Sequence, residues 1–369
     1  MLMQIAICGL GTIGYGVFDI IQKNDLGINV KKVFDKDLSK TSLVGDIITT
    51  DLNDILNDKE ITLAVCTMGG LDFAYSTITT LMKAGKSVVT ANKEVVSKYF
   101  KELTELKTKM HVDFSFEASV GGGVPIIKNL IDISRSNEIS SIYGILNGTT
   151  NFILTRIAEG MDFDSALKEA REKGFAEANA SYDLEGLDML RKIAILTMVA
   201  KDEIVDIDKI YHYPMSGVTL GDMEFLKTYN FNIKYVCYLT GHSLGVEPML
   251  INDSFKNVND EYNIVNVEAT NYGNLRFYGK GAGRYATANA IVNDVVDIYN
   301  GNKNYTFKGN NSFKIEEDDS EYMYFLRVKD ITIIDKTKIL AFSGNRLLTT
   351  NMKRSDLDFD NIEFYARAK

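Results

Sequence analysis

The sequence predicts an α/β chain in three parts: an N-terminal doubly wound parallel sheet, an α+β region after it, and a short β-rich C-terminal appendage. Three observations carry this. Short apolar runs alternate with helical patterns over the first 110 or so residues, the signature of a parallel sheet with crossover helices. From Asp113 the pattern changes to a glycine triplet followed by helices and longer apolar strands. From about residue 303 it changes again, to brief alternating runs with an acidic cluster between Glu316 and Glu321. The divisions are 1–116 plus 284–302, then 117–283, then 303–369.

The elements follow in order. MQIAIC at 3–8 is a short apolar run ending at Gly9, read as a buried strand. Gly9-Leu-Gly-Thr-Ile-Gly14-Tyr-Gly16 then opens a helix whose periodic part is 17–23. NVKKVF at 29–34 is the second strand, stopped by Asp35-Lys36-Asp37, and ITLAVC at 61–66 the third, ended by Thr67-Met68-Gly69-Gly70. A helix at about 72–84 leads to SVVT at 87–90 and then Ala91-Asn92-Lys93. In the second part a helix begins at or near Pro125, a favoured first-turn residue. Segments 138–146, 263–270 and 274–279 read as strands of an antiparallel or mixed sheet. The stretch 284–299 is an amphipathic helix with Ala288, Ile291, Val292, Val295, Val296 and Ile298 on its apolar side. In the tail, the runs at 306–308, 322–328, 331–334, 338–342 and 364–368 read as strands.

Composition bounds the function. The chain has 369 residues, is 45% hydrophobic and 25% charged, and carries a net charge of −9, which argues against nucleic-acid or anionic-membrane partners. Cys8, Cys66 and Cys237 are widely spaced in apolar runs, as buried thiols of a reducing compartment are. The three histidines show no metal-ligand spacing. The N-terminus has no basic region or small-residue cleavage site, and no apolar run reaches membrane-spanning length, so the expected location is the cytoplasm.

Six constellations suggest chemistry. Gly9, Gly11 and Gly14 form G-x-G-x-x-G after a strand and before a helix, where backbone amides and the helix N-terminus can receive a pyrophosphate. That context makes the first part a Rossmann-type dinucleotide-binding domain. Asp35, 24 residues after Gly11, stands where an acidic residue binds ribose hydroxyls, whereas Lys36 beside it suits a 2′-phosphate, so NAD and NADP both stay open. Lys93 follows a parallel strand at the edge that faces ligands, where a solvated lysine is equally ordinary. The triplet in Glu117-Ala-Ser-Val120-Gly-Gly-Gly-Val124 allows close backbone approach to an ion, or a hinge. Asn147-Gly-Thr-Thr-Asn151 caps a helix or lines a pocket, and Gly279-Lys-Gly281-Ala-Gly283 is a second place for backbone to approach a cofactor. Finally, Asp188 and Lys192 lie one turn apart on a helix that becomes apolar almost all round after Lys192, with Glu177 and Asp183 upstream. Charges on a burying face are paired structurally or used chemically.

The pieces GxGTIGxG, TANKE at 90–94, FEASVGGGVPII at 116–127, LNGTTNFIL at 146–154, GFAE…DLEGLDMLRKIAIL at 174–196 and GAGRYATANAIVNDV at 281–295, in this order, resemble homoserine dehydrogenase over about residues 3–300. The resemblance implies reversible hydride transfer between NADP or NAD and L-aspartate 4-semialdehyde, giving L-homoserine. It implies Lys192 as proton donor and Lys93 as a second active-site lysine, with Glu177 and Asp188 holding the substrate and Asp183 and Thr149 adding polar groups. It implies cofactor contacts at Gly9, Gly11, Thr12, Ile13, Gly14, Lys36, Thr67, Lys93, Gly174 and Gly281. A sodium ion is implied at Glu117, Val120, Gly122 and Val124, mostly through carbonyls. A homodimer is implied too, because the second domain's sheet pairs across subunits in this family, making that domain both catalytic and dimerising. The chain departs from the family pattern at Asn179-Ala180, where Asp-Pro is common, at Ser216, where Glu is usual, and at Lys36, where arginine is usual. The 322–330 segment resembles the entry strand of an ACT domain without the turn and helix that would follow. An incomplete ACT-like unit or a β-ribbon for subunit contact is expected there, without threonine feedback.

Overall fold

The computed structural model describes residues 2–302, 307–309 and 311–369. Two compact units emerge: 1–137 with 194–207 and 279–313, and 138–193 with 208–278 and 314–369.

The first unit holds six parallel strands: β1 (Met3–Cys8), β2 (Ile28–Phe34), β3 (Ile48–Thr49), β4 (Ile61–Cys66), β5 (Ser87–Thr90) and β6 (Phe114–Ser115). Their order, β3-β2-β1-β4-β5-β6, places β1 and β4 side by side at the reversal of strand order, where open parallel sheets bind ligands. Ile5, Ile7, Leu63 and Val65 are buried against Val17 and Ile21 of the Thr12–Lys23 helix and Ile291 and Val295 of the Arg284–Tyr299 helix. The first helix starts at Thr12, a turn before its periodic apolar residues, because Gly14 is embedded: a Cβ there would lie 1.9 Å from the Gly9 carbonyl oxygen. The helix expected near Pro125 runs Ile127–Ser134. A helix spanning Lys93–Met110 fills the interval between β5 and β6.

The second unit is built on a mixed sheet with strands β7 (Ile139–Ile145), β8 (Tyr211–His212), β9 (Asn232–Thr240), β10 (Ser243–Ile251), β11 (Tyr262–Ala269) and β12 (Gly273–Lys280), continued by tail strands. The tail supplies β13 (Glu321–Tyr322), β14 (Tyr324–Val328), β15 (Ile339–Ser343), β16 (Arg346–Thr349), β17 (Met352–Lys353) and β18 (Ile362–Ala368). The order is β12-β11-β7-β9-β10-β18-β14-β16-β15, with β8 beside β10 and β13–β17 forming a separate antiparallel pair. The tail is thus β-rich as expected, and β18 joins it to the larger sheet by parallel pairing of Met249 with Arg367 and Leu250 with Ala368. The run at 331–334 is not a strand: Asp330 takes the Thr332 amide at 2.8 Å and turns the chain into a short helical loop. Thr306, within the run expected at 306–308, lies outside the described residues.

Buried charge seals the tail to the sheet. Glu247 on β10, fully buried, accepts hydrogen bonds from Arg354 (2.6 Å), Arg367 (2.6 Å) and Tyr365 (2.7 Å). The Arg367 guanidinium lies between the rings of Tyr238 and Tyr322, 4.5 and 4.2 Å from their centroids. Asp222, also fully buried, is shared by Arg346 at 2.8 Å and Arg327.

Candidate active site

The nucleotide end of the first unit is assembled by backbone. Gly9, at φ +96°, turns the chain off β1, and Gly11 precedes the helix with no side-chain cap over the amides of Thr12, Ile13 and Gly14. Uncapped amides at a helix N-terminus are the donors an anion takes. Thr67 at the end of β4 donates to the Gly9 carbonyl at 2.7 Å, fixing the loop from the neighbouring strand. Asn92 caps the Lys93–Met110 helix through Glu94 and Val95, and its amide also donates to Met68 and Gly70. Lys93 therefore starts its helix on a turn tied to the end of β4.

At the end of β2, Asp35 is spent on the fold. One oxygen accepts the Leu10 amide at 2.6 Å and pairs with Lys40 at 2.9 Å, and the other accepts the Asp37 amide at 3.0 Å. Burial raises its pKa, but Lys40 and the two amides outweigh that and hold the carboxyl below its usual range. Lys36 is exposed.

The glycine triplet is anchored, not a free hinge. The Gly123 amide donates to Lys280 at 3.1 Å, next to Gly281. The Glu117 carboxylate is buried and accepts the amides of Ile126, Ile127 and Lys128 at 2.6–2.8 Å, so its side chain caps the Ile127–Ser134 helix. That capping is why the helix begins past Pro125. Among the described residues the carbonyls of Val120, Gly122 and Val124 accept no backbone hydrogen bond, and no cluster of acidic, histidine and cysteine side chains has metal-binding geometry. Carbonyl oxygens suit a hard cation.

In the second unit Asp183, Asp188 and Lys192 converge. Lys192 and Asp188 form a 2.7 Å ion pair on the Leu187–Lys201 helix, with side chains only 12% and 6% exposed. Lys192 also donates to the Leu146 carbonyl at 2.6 Å, at the end of β7. Asn147 caps the Gly148–Ala158 helix by accepting the Thr150 amide at 2.8 Å. Its amide nitrogen donates to Asp183 at 2.7 Å and to Asp188 at 2.9 Å. Burial raises the Asp183 pKa, the Asp188 charge adds to this, and Asn147, Lys192 and Thr149 pull the other way. Thr149 donates to the Phe175 carbonyl at 2.6 Å, which draws the segment after Gly174 onto the same helix start.

Gly186 makes the arrangement possible. It turns at φ +85° between the short Ser181–Leu184 helix and the Leu187–Lys201 helix, and a Cβ there would meet the Tyr235 hydroxyl at 2.3 Å. Glu177 lies on the exposed stretch between Gly174 and Ser181; among the described residues no hydrogen bond ties it to the cluster. Asn147 is the residue whose part at this site its capping signature alone did not reveal.

Known proteins now place the chain. The family model for homoserine dehydrogenase matches residues 125–296, and that for the homoserine dehydrogenase NAD-binding domain matches 9–117. A homoserine dehydrogenase of Synechocystis is 39% identical over 318 residues, 81% of this chain and 73% of that protein. The Bacillus subtilis homoserine dehydrogenase is 35% identical, over 80% of this chain and 72% of its own length. Among solved structures, a homoserine dehydrogenase from Thiobacillus denitrificans superposes with a TM-score of 0.89 at 27% identity, over 100% of this chain and 98% of that one. A hyperthermophilic archaeal homoserine dehydrogenase in complex with NADPH superposes with a TM-score of 0.70 at 25% identity, over 84% of this chain and all of the other. With its nucleotide-binding loop, its mixed second sheet and these relatives, the chain belongs to the homoserine dehydrogenase family of NAD(P)-dependent oxidoreductases.

Proposed function

We propose that the Asp188–Lys192 pair is the proton-transfer centre of the reversible conversion of L-aspartate 4-semialdehyde to L-homoserine. The observation that carries this is a buried lysine with two of its three N–H groups engaged, by Asp188 and the Leu146 carbonyl. Among the described residues these two are its hydrogen-bond partners, and the third N–H can turn to a substrate oxygen. The nicotinamide cofactor supplies or accepts the hydride when bound. As hydride reaches the aldehyde carbon, negative charge develops on oxygen, and Lys192 stabilises it and delivers a proton. In the reverse direction the neutral Lys192 amine accepts the hydroxyl proton as hydride leaves the carbon. Asp188, 2.7 Å from the Lys192 nitrogen, keeps that group aimed. Glu177, Asp183 and Asp188 offer carboxylates to the substrate's ammonium, Thr149 a hydroxyl, and Lys93 a counter-charge for its carboxylate.

NADP is favoured over NAD. Asp35, the residue that would select ribose hydroxyls, is bonded to the Leu10 and Asp37 amides and its charge is offset by Lys40, while Lys36 stands exposed for a 2′-phosphate. Thr12, Ile13, Gly174 and Gly281 complete the proposed cofactor contacts. A sodium ion would take the carbonyls of Glu117, Val120, Gly122 and Val124, supporting the loop without entering a chemical step. Purified protein should reduce NADP in the presence of L-homoserine at alkaline pH, with kcat/KM at least about tenfold above that for NAD, a difference one charge-assisted contact can produce. No homoserine-dependent reduction of either nucleotide would refute the reading. The same assay with choline replacing sodium reads the cation's contribution. We also propose a homodimer, so light scattering should give twice the 41.3 kDa chain mass; a monomeric mass at micromolar concentration would contradict it.

A further inference from the structure

The Asn147 side chain makes three hydrogen bonds, one through its oxygen and two through its nitrogen. Its oxygen accepts the Thr150 amide at 2.8 Å, which fixes the orientation of the amide group. The nitrogen must then face the opposite side, and its two hydrogens meet two different carboxylates, Asp183 at 2.7 Å and Asp188 at 2.9 Å. The Asp188 oxygen it reaches is the one that pairs with Lys192. Asn147 is 4% exposed and follows Leu146, whose carbonyl takes a second N–H of Lys192. One β-strand end thus grips the lysine twice, once directly and once through its carboxylate.

We propose that Asn147 is a positioning residue for the reaction: it spaces the Asp183 and Asp188 carboxylates and, through Asp188, sets the direction of the Lys192 ammonium. This inference rests on the functional reading above. Two carboxylates in a buried site repel, and a neutral donor shared between them keeps both in place without adding a competing positive charge. A lysine or arginine here would instead draw Asp188 away from Lys192. Serine keeps an oxygen to cap the helix but offers at most one hydrogen, and aspartate keeps the cap but offers none in its ionised form.

The test uses Asn147→Ser, with Asn147→Asp as the second variant should the first fail to fold. Four quantities are read: melting temperature, NADP dissociation constant, kcat and the KM for homoserine. With positioning, the variant stays folded with a modestly lower melting temperature and NADP affinity near wild type, while kcat falls and KM rises, lowering kcat/KM about 10–100-fold, the loss expected for a hydrogen bond to a charged group. Asn147→Asp, which crowds a third carboxylate into the site, should lose more than Asn147→Ser. Wild-type kcat and KM in a folded Asn147→Ser or Asn147→Asp protein would show that Asn147 only caps its helix, overturning the inference while leaving the functional reading intact. An inactive wild-type protein would instead overturn the functional reading, and this inference with it.

Discussion

Replacing Lys192 by alanine should lower kcat for homoserine oxidation by about 10³-fold, within the range for removing a general acid or an oxyanion donor. The loss should fall on the chemistry and spare the nucleotide. The amides of Thr12, Ile13 and Gly14, the Thr67 tether and the Asp35 anchor all belong to the first unit, whereas Lys192 belongs to the second. NADP titration of Lys192→Ala should therefore match wild type. The substitution also leaves Asp188 buried without its ammonium, although Asn147 still donates to it. Some stability loss will accompany the kinetic loss, and a melting curve alongside the assay separates the two. A variant that remains folded, binds NADP and turns over within a few-fold of wild type would remove Lys192 from the mechanism.

The second large effect concerns the tail. Glu247→Ala should destabilise the second unit by about 3–5 kcal/mol, the usual consequence of removing one partner from a buried charge cluster. Arg354, Arg367 and the Tyr365 hydroxyl would all lose their shared acceptor in a site closed to water. The damage should reach the Asp183–Asp188–Lys192 cluster by a traceable route. Tyr213 donates its amide to Val246, beside Glu247, and its carbonyl accepts the Tyr235 hydroxyl that packs against Gly186. Two residues on, the Met215 amide donates to Leu184, next to Asp183. Hydrogen exchange should rise first in β14, β16 and β18, and kcat/KM for homoserine should fall with it. Unchanged protection in those strands would show that the tail is held by apolar packing alone, through residues such as Tyr324, Leu326 and Leu347.

Much of this was legible in the sequence because the signals were local. The glycine fingerprint, the strand ends at Thr67 and Thr90 and the one-turn spacing of Asp188 and Lys192 each imply their own geometry. Other elements were not legible, for physical reasons. β9 and β10 are buried on both faces, so they show no alternation, and Lys234, Glu247 and Pro248 interrupt their apolar runs as loop residues would. Glu247 makes sense only once Arg354 and Arg367, more than a hundred positions later, are brought to it. Lys93–Met110 is rich in lysine and glutamate, and its buried positions Val95, Val96, Ser97, Phe100, Leu103, Thr104 and Lys107 include polar residues that break the apolar pattern. Asn147 shows the same limit at the site: its capping role is local and readable, but its two carboxylate partners lie 36 and 41 residues away.

The most direct test is a single-turnover experiment with wild type and Lys192→Ala, each preloaded with NADPH and mixed with aspartate 4-semialdehyde. Nicotinamide oxidation in the first turnover reports the chemical step apart from product release. If Lys192 stabilises and protonates the forming alkoxide, that first turnover is itself about 10³-fold slower in the variant at saturating substrate. Equal first-turnover rates in the two proteins would contradict the assignment of proton transfer to Lys192.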